Sequence, residues 1–328
     1  MQRPMQVDDV EVVGSGLNRP ECVLATASGD LYTSDWRGGI AHRLPDGSQR
    51  LYSGSTMDLP EGPRPNGIAL EADGSFLFAN LGTDVGGAWR IDRRGQIRPV
   101  LAEIDGSPLP PATNFVARDA MGRLWITVST RKVPRSLDYR RGADSGFIIM
   151  VDSKGARIVA DGLGFTNEAL VDPKGEALYV NETYARRFSR FPLKKNGDLG
   201  PKEVVTEFGP GQYPDGFAFD AEGNVWNTSV ISNQVILITL STGEAEVMLE
   251  DNDAGHLAWV EEAYRTDSIG RPHMDKMVSQ KLRNISSIAF GGPDLRTTYL
   301  GCLLGDHIYR LNMPVAGVAP PHWNYPLG

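Results

Sequence analysis

The sequence predicts an all-β chain folded as a six-bladed β-propeller, and three observations carry that expectation. One pattern recurs six times: a polar residue, an apolar run, an Asp/Gly turn and a second apolar run. Its copies begin at residues 21, 66, 114, 167, 215 and 286. Repeats of about 40–50 residues with four strand signals each mark propeller blades. The 37 glycines and 22 prolines suit many short strands joined by tight turns. At 328 residues the chain fits a closed β architecture made as one unit, so residues 1–328 are read as a single domain.

The elements follow in order. The first copy is Arg19-Pro20-Glu21-Cys22-Val23-Leu24, then Ser28-Gly29-Asp30-Leu31-Tyr32. The second is Pro65-Asn66-Gly67-Ile68-Ala69-Leu70 and Asp73-Gly74-Ser75-Phe76-Leu77-Phe78. The third pairs Thr113-Asn114-Phe115-Val116-Ala117 with Gly122-Arg123-Leu124-Trp125-Ile126. The fourth pairs Phe165-Thr166-Asn167-Glu168-Ala169-Leu170 with Gly175-Glu176-Ala177-Leu178-Tyr179-Val180, and the fifth pairs Tyr213-Pro214-Asp215-Gly216-Phe217 with Gly223-Asn224-Val225-Trp226. The sixth, Ile285-Ser286-Ser287-Ile288-Ala289-Phe290, is the most divergent. Its copy supplies three strands, and residues 10–13 have strand character. Pairing them with the last blade would remove the open edge of an unclosed ring.

The long fifth interval, residues 251–284, holds two apolar-periodic stretches, 257–264 and 273–278, which read as short amphipathic helices. This partly helical insert between blades five and six is a candidate lid, since long loops in compact domains are often functional. Trp36, Trp89, Trp125 and Trp226 sit at strand positions, where packing between blades accounts for them. Cys22 and Cys302 imply no disulfide framework and read as buried thiols.

Composition removes several function classes. A net charge of −8 speaks against a nucleic-acid binder. No stretch reaches the length of a membrane span, and no secretory signal follows Met1-Gln2-Arg3-Pro4, so a cytoplasmic location is expected. There is no Gly-x-Ser-x-Gly elbow. The five histidines, His42, His256, His273, His307 and His322, lack zinc-type spacing. His42 and His307 fall in predicted strands, whereas His256 or His273 would be placed to reach a mouth beneath the insert.

The innermost strand of each blade lines the central channel, so equivalent repeat positions face it at one height. Around the ring these are Glu21, Asn66, Asn114, Asn167, Asp215 and Ser286. Oxygen-only donors with two carboxylates suit a hard divalent cation such as calcium; zinc, magnesium and manganese remain open. The alternative is that Asn-Gly and Asp-Gly are turn dipeptides that only start each strand.

At these residues the chain resembles the senescence-marker-protein/gluconolactonase family, which includes regucalcin. The resemblance covers roughly residues 10–312. It rests on Pro20-Glu21, on Asn114 with Gly122-Arg123-Leu124-Trp125, on Asn167, on Pro214-Asp215-Gly216 and on the ending Leu304-Gly305-Asp306-His307-Ile308-Tyr309-Arg310. It implies Glu21, Asn167 and Asp215 as metal ligands, with Asn114 beside the metal. Three departures stand out: Cys22-Val23 where relatives have Gly-Pro after the Glu, Ala112 where sugar-lactone hydrolases carry an Arg, and Arg131-Lys132 where they can place an acid.

The expected activity is hydrolysis of a small lactone, gluconolactonase-like, with the metal as Lewis acid. Asp215 is the expected base, Glu21 the second choice, and Asn114 the residue that orients substrate or oxyanion. Asn66 and Ser286 would add substrate contacts. Phosphotriester or other ester hydrolysis at the same site is the enzymatic alternative. A non-catalytic propeller that binds a partner through its insert is the other. The expected partner is a small lactone or ester; oligomeric state is not legible.

Overall fold

The computed structural model describes residues 4–325. The expectation that no secretory signal follows Met1-Gln2-Arg3-Pro4 falls in part on residues outside those described. Six antiparallel four-stranded sheets follow one another around a ring. Their innermost strands are Val23–Ala25, Pro65–Leu70, Thr113–Arg118, Thr166–Val171, Tyr213–Phe219 and Ile285–Gly291. Each touches the next, and the sixth touches the first, which is a closed six-bladed propeller.

Closure is as the sequence predicts. Glu11–Val13 forms the outermost strand of the sixth blade, antiparallel to Ile308–Asn312, with Glu11 opposite Arg310 and Val13 opposite Ile308. The sixth blade thus takes three strands from one end of the described chain and one from the other. A two-residue hairpin, Glu103–Ile104 with Ser107–Pro108, is an addition between blades two and three.

The strands show why the repeats fold this way. Blades stack face to face, so a middle strand is covered on both sides and its apolar run need not alternate. Phe76–Asn80 is buried at all five positions, whereas the outermost Gln49–Ser53 has none fully buried. The turn before each second strand needs a left-handed residue, supplied by Gly74 (φ 80°) and Gly223 (φ 85°) in blades two and five. The preceding acid ties the turn down. Asp220 accepts the backbone N–H of Glu222 and Asn224 at 2.9 and 2.8 Å, and the Trp226 indole N–H at 3.0 Å. Asp119 and Trp125 repeat this in blade three at 2.9 Å. The indoles are both fully buried.

Boundaries differ from expectation in places. The strand before Trp36 ends at Asp35, so Trp36 sits in a turn, its indole N–H donating to the Pro65 carbonyl at 3.1 Å. His307 precedes the strand that starts at Ile308. The insert helices are Ala254–Arg265 and Arg271–Asp275. The first begins earlier than its apolar pattern because the Asp253 side chain caps it, accepting from the His256 backbone N–H at 2.8 Å. Both cysteines are free and buried. Among the described residues no helix is long and apolar enough to cross a membrane.

Candidate active site

The inner strands break their ladder register where the repeat places its polar residue. Pairing with the second strand is interrupted between Pro65 and Ile68, Thr113 and Phe115, Thr166 and Ala169, Pro214 and Phe217, and Ile285 and Ser287. Asn66, Asn114, Asn167, Asp215 and Ser286 all fall within these irregularities. A bulge frees a residue from pairing and re-aims its side chain. The Asn-Gly and Asp-Gly pairs are therefore not turns. Their glycines permit close approach of adjacent inner strands: a Cβ on Gly67 would lie 2.7 Å from Phe115 Cα, and one on Gly216 2.6 Å from the Ser286 carbonyl.

Five of the six ring residues, Glu21, Asn66, Asn114, Asn167 and Asp215, line one cavity with a free volume of about 50 Å³. Each of the five is buried. The sixth is a correction to the sequence reading. Ser286 does not line the cavity; its hydroxyl donates to the backbone carbonyl of Glu21 at 2.8 Å, fastening the last blade to the first.

Hydrogen bonds orient the ring. The Asn66 amide nitrogen donates to Glu21 Oε1 at 2.8 Å and to the Asn114 carbonyl at 3.1 Å, while Asn66 Oδ1 accepts from Arg19 at 2.7 Å. Asn66 is thus committed to positioning its neighbours rather than free for a substrate. The Asn167 amide nitrogen donates to Thr183 Oγ1 at 3.0 Å, whose hydroxyl donates to the Pro214 carbonyl at 2.8 Å. That relay turns Asn167 Oδ1 away from the protein donors. Of the ring residues' buried oxygens, three are left without a hydrogen-bond partner: Glu21 Oε2, Asn167 Oδ1 and Asp215 Oδ1.

Electrostatics mark the same three residues. Burial pushes the Glu21 carboxyl up to about 7, opposed by Arg19 and by the Asn66 hydrogen bond. Asp215 is raised well above the usual carboxylate range by burial and then by the charge of Glu21. No group of three or more His, Cys, Asp or Glu residues suited to a metal occurs among the described residues. The ring instead mixes carboxylates with amides. Its three unpartnered oxygens are hard donors, and they are the atoms that could hold a hard divalent cation.

Several wall residues escaped the sequence reading. Arg19, Arg135 and Arg271 line the cavity, as do Tyr139, Phe165 and Tyr184. Tyr139 stacks on Tyr184 at 4.7 Å, and Phe165 meets both edge-on. The insert reaches the wall through Arg271 and Met274; His256 and His273 are not among the lining residues. Arg131 points elsewhere, paired with Asp161 at 2.7 Å, and Ala112 is buried off the cavity. Glu168, beside the ligand-type Asn167, takes the opposite direction. It lines a second cavity of about 120 Å³ with Cys22, Phe217 and His322, and burial followed by Glu21 and Asp215 raises its carboxyl strongly. Only Arg19 and Phe165, each two residues before a ring residue, carried a repeat-based signal for any of these.

Comparison with known proteins gives the family and the fold. The SMP-30/Gluconolactonase/LRE-like region matches residues 19–250. A 6-deoxy-6-sulfogluconolactonase of Pseudomonas putida is 28% identical over 273 residues, 82% of this chain and 78% of that protein. Pentonolactonase XacC of Haloferax volcanii is 25% identical over 244 residues, 73% and 67% of the two chains. A calcium-binding regucalcin structure from Agrobacterium tumefaciens superposes with a TM-score of 0.67 at 18% identity, covering 99% of this chain and 100% of that one. At that identity the likeness is one of fold.

Proposed function

Because the chain belongs to the SMP-30/gluconolactonase/LRE-like family, we propose that it hydrolyses a lactone in the cavity where Glu21, Asn114, Asn167 and Asp215 converge. The observation that carries this reading is the set of three unpartnered, buried oxygens on one cavity wall. Glu21, Asn167 and Asp215 would hold a divalent cation, calcium first among the candidates, with zinc, magnesium and manganese as others. Such a cation, when bound, supplies Lewis-acid polarisation of the lactone carbonyl and a counter-charge for the two carboxylates.

The chain's own groups supply the rest. Asn114 faces the cavity with its Oδ1 within 3.4 Å of the Asn66 amide nitrogen, which leaves its own NH₂ to donate to the substrate's carbonyl oxygen. Asp215 accepts the proton of the attacking water. The new C–O bond forms at the carbonyl carbon, the ring C–O bond breaks, and the proton passes to the departing ring oxygen to give the hydroxy acid. Tyr139, Phe165 and Tyr184 form an aromatic wall against which the substrate ring would pack.

The test is the metal content of protein purified without added metal, with lactone hydrolysis followed before and after chelation. About one metal per chain, and activity lost on chelation and restored by calcium, is the expected result. No bound metal and no hydrolysis with any divalent ion would overturn the reading.

A further inference from the structure

The charge around the cavity is opposite to that of the whole chain. The protein carries 41 acidic and 33 basic residues, yet the cavity is lined by Arg19, Arg135 and Arg271 against only Glu21 and Asp215. The two signs are also separated by depth. Both acids are buried and the Arg19 guanidinium reaches down to the buried Asn66 beside them, whereas Arg135 is half-buried and Arg271 is exposed. The floor is acidic and the rim basic.

The rim arginines are incompletely used by the protein. Arg19 lies over the Trp36 ring at 4.4 Å and donates to Asn66. Arg135 makes one 3.4 Å contact to the Gly82 carbonyl. Neither has an ion-pair partner among the described residues. Arg271 does pair, with Asp275 at 2.8 Å, but its side chain remains 46% exposed. The three come from separate parts of the fold: the entry to blade one, the loop helix Arg135–Ser136-Leu137-Asp138 of blade three, and the insert. Three guanidinium groups brought to one cavity, two of them with no carboxylate partner among the described residues and the third sharing an exposed one, favour a planar oxyanion, which accepts their N–H groups in pairs.

Resting on the lactone-hydrolase reading for its site, we infer that the substrate is an anionic lactone, carrying a carboxylate, sulfonate or phosphate group on the ring substituent farthest from the carbonyl. The carbonyl sits at the floor and the anion is held at the rim by Arg135 and Arg271, with Arg19 beside them. These residues determine specificity, and they stand in for the arginine that Ala112 does not supply.

Binding of a hydrolysis-resistant pair tests this apart from turnover: a γ-lactam carboxylate and the same lactam as its carboxamide, titrated by calorimetry into the calcium-supplemented protein. The carboxylate is expected to bind about 10- to 100-fold more tightly, the range of charge-assisted hydrogen bonds, with a preference that weakens as salt rises. Arg135→Ala and Arg271→Ala should each erode that preference, whereas Arg131→Ala, on an arginine outside the cavity, should not. Turnover of a carboxylated lactone should fall more than that of its neutral analogue in the same variants. Phosphate- and sulfonate-bearing lactams rank the oxyanion. Equal affinity for carboxylate and carboxamide, no binding of either, or a preference untouched by both arginine variants would overturn the inference. A protein that binds the carboxylate selectively but opens no lactone would retain the anion-selective arginines and lose the hydrolase reading, and with it the assignment of the anion to a lactone substrate.

Discussion

The hydroxyl of Ser286 and the backbone carbonyl of Glu21, 2.8 Å apart, join the last inner strand to the segment that enters the first. The bond ties the backbone of a cavity residue to the last blade, so ring closure and the placing of Glu21 share one interaction. Ser286→Ala leaves a buried carbonyl without this donor and is expected to cost about 1–2 kcal/mol. Urea denaturation measures the loss; it should be accompanied by weaker binding of calcium, read by calorimetry.

Asp215→Asn separates chemistry from fold. Turnover should fall by at least about 100-fold, since the proton acceptor is lost. In the presence of a chelator the variant should melt higher than the parent, by about 1 kcal/mol in stability. The reason is that Glu21 and Asp215 repel one another in a buried site. Thermal melts with and without chelator distinguish this from a variant that simply misfolds, which would melt lower in both.

The paired turns of blades three and five make a stability prediction remote from the chemistry. Asp220→Ala removes the acceptor for two backbone N–H groups and the buried Trp226 indole. It should cost about 2–4 kcal/mol, and Asp119→Ala a similar amount. Activity per folded molecule should be retained, which a comparison of specific activity with the folded fraction from denaturant curves will show.

His322 gives a pH dependence. Burial pushes its pKa down from 6.5 to about 4, partly opposed by a backbone contact with Ala25, and its Nε2 is sealed without a partner. The folded state binds its proton more weakly than the unfolded state does. Stability from this group is therefore present above about pH 6.5 and is lost as pH falls towards 4. Because part of the residue stays open to solvent, the effect should be smaller than a fully enclosed ring would give. His322→Gln should flatten the stability profile between pH 6.5 and 4; a profile unchanged in that window would refute the assignment.

The blades were legible because a buried strand between two neighbouring sheets must repeat its apolar run and its turn. The same logic exposed the closing strand at Glu11–Val13. The ring positions could be aligned because they recur at one place in the repeat; in blades two to six that place is a bulge of the inner strand, although the bulges themselves leave no composition signal. Ser286 aligned with the others but was diverted by a contact with Glu21, some 265 residues away in sequence. Arg135 and Arg271 were invisible for a different reason. They sit on short helices outside the repeat, and their meeting point depends on how the insert folds back, which no local pattern encodes. The insert was recognised; its docking, with Arg186 bridging Glu261 and Tyr213, was not.

Among the described residues the strand Glu11–Val13 finds its partner only in Ile308–Asn312. During synthesis, at about 5–20 residues per second, it must wait roughly 15–60 s for that partner to be made. Until then blades one to five present an open ring whose first and last faces are apolar and unstacked. The closing strand is thus a late event on the ribosome. Conditions that lengthen the wait should favour pairing of these exposed faces between neighbouring nascent chains.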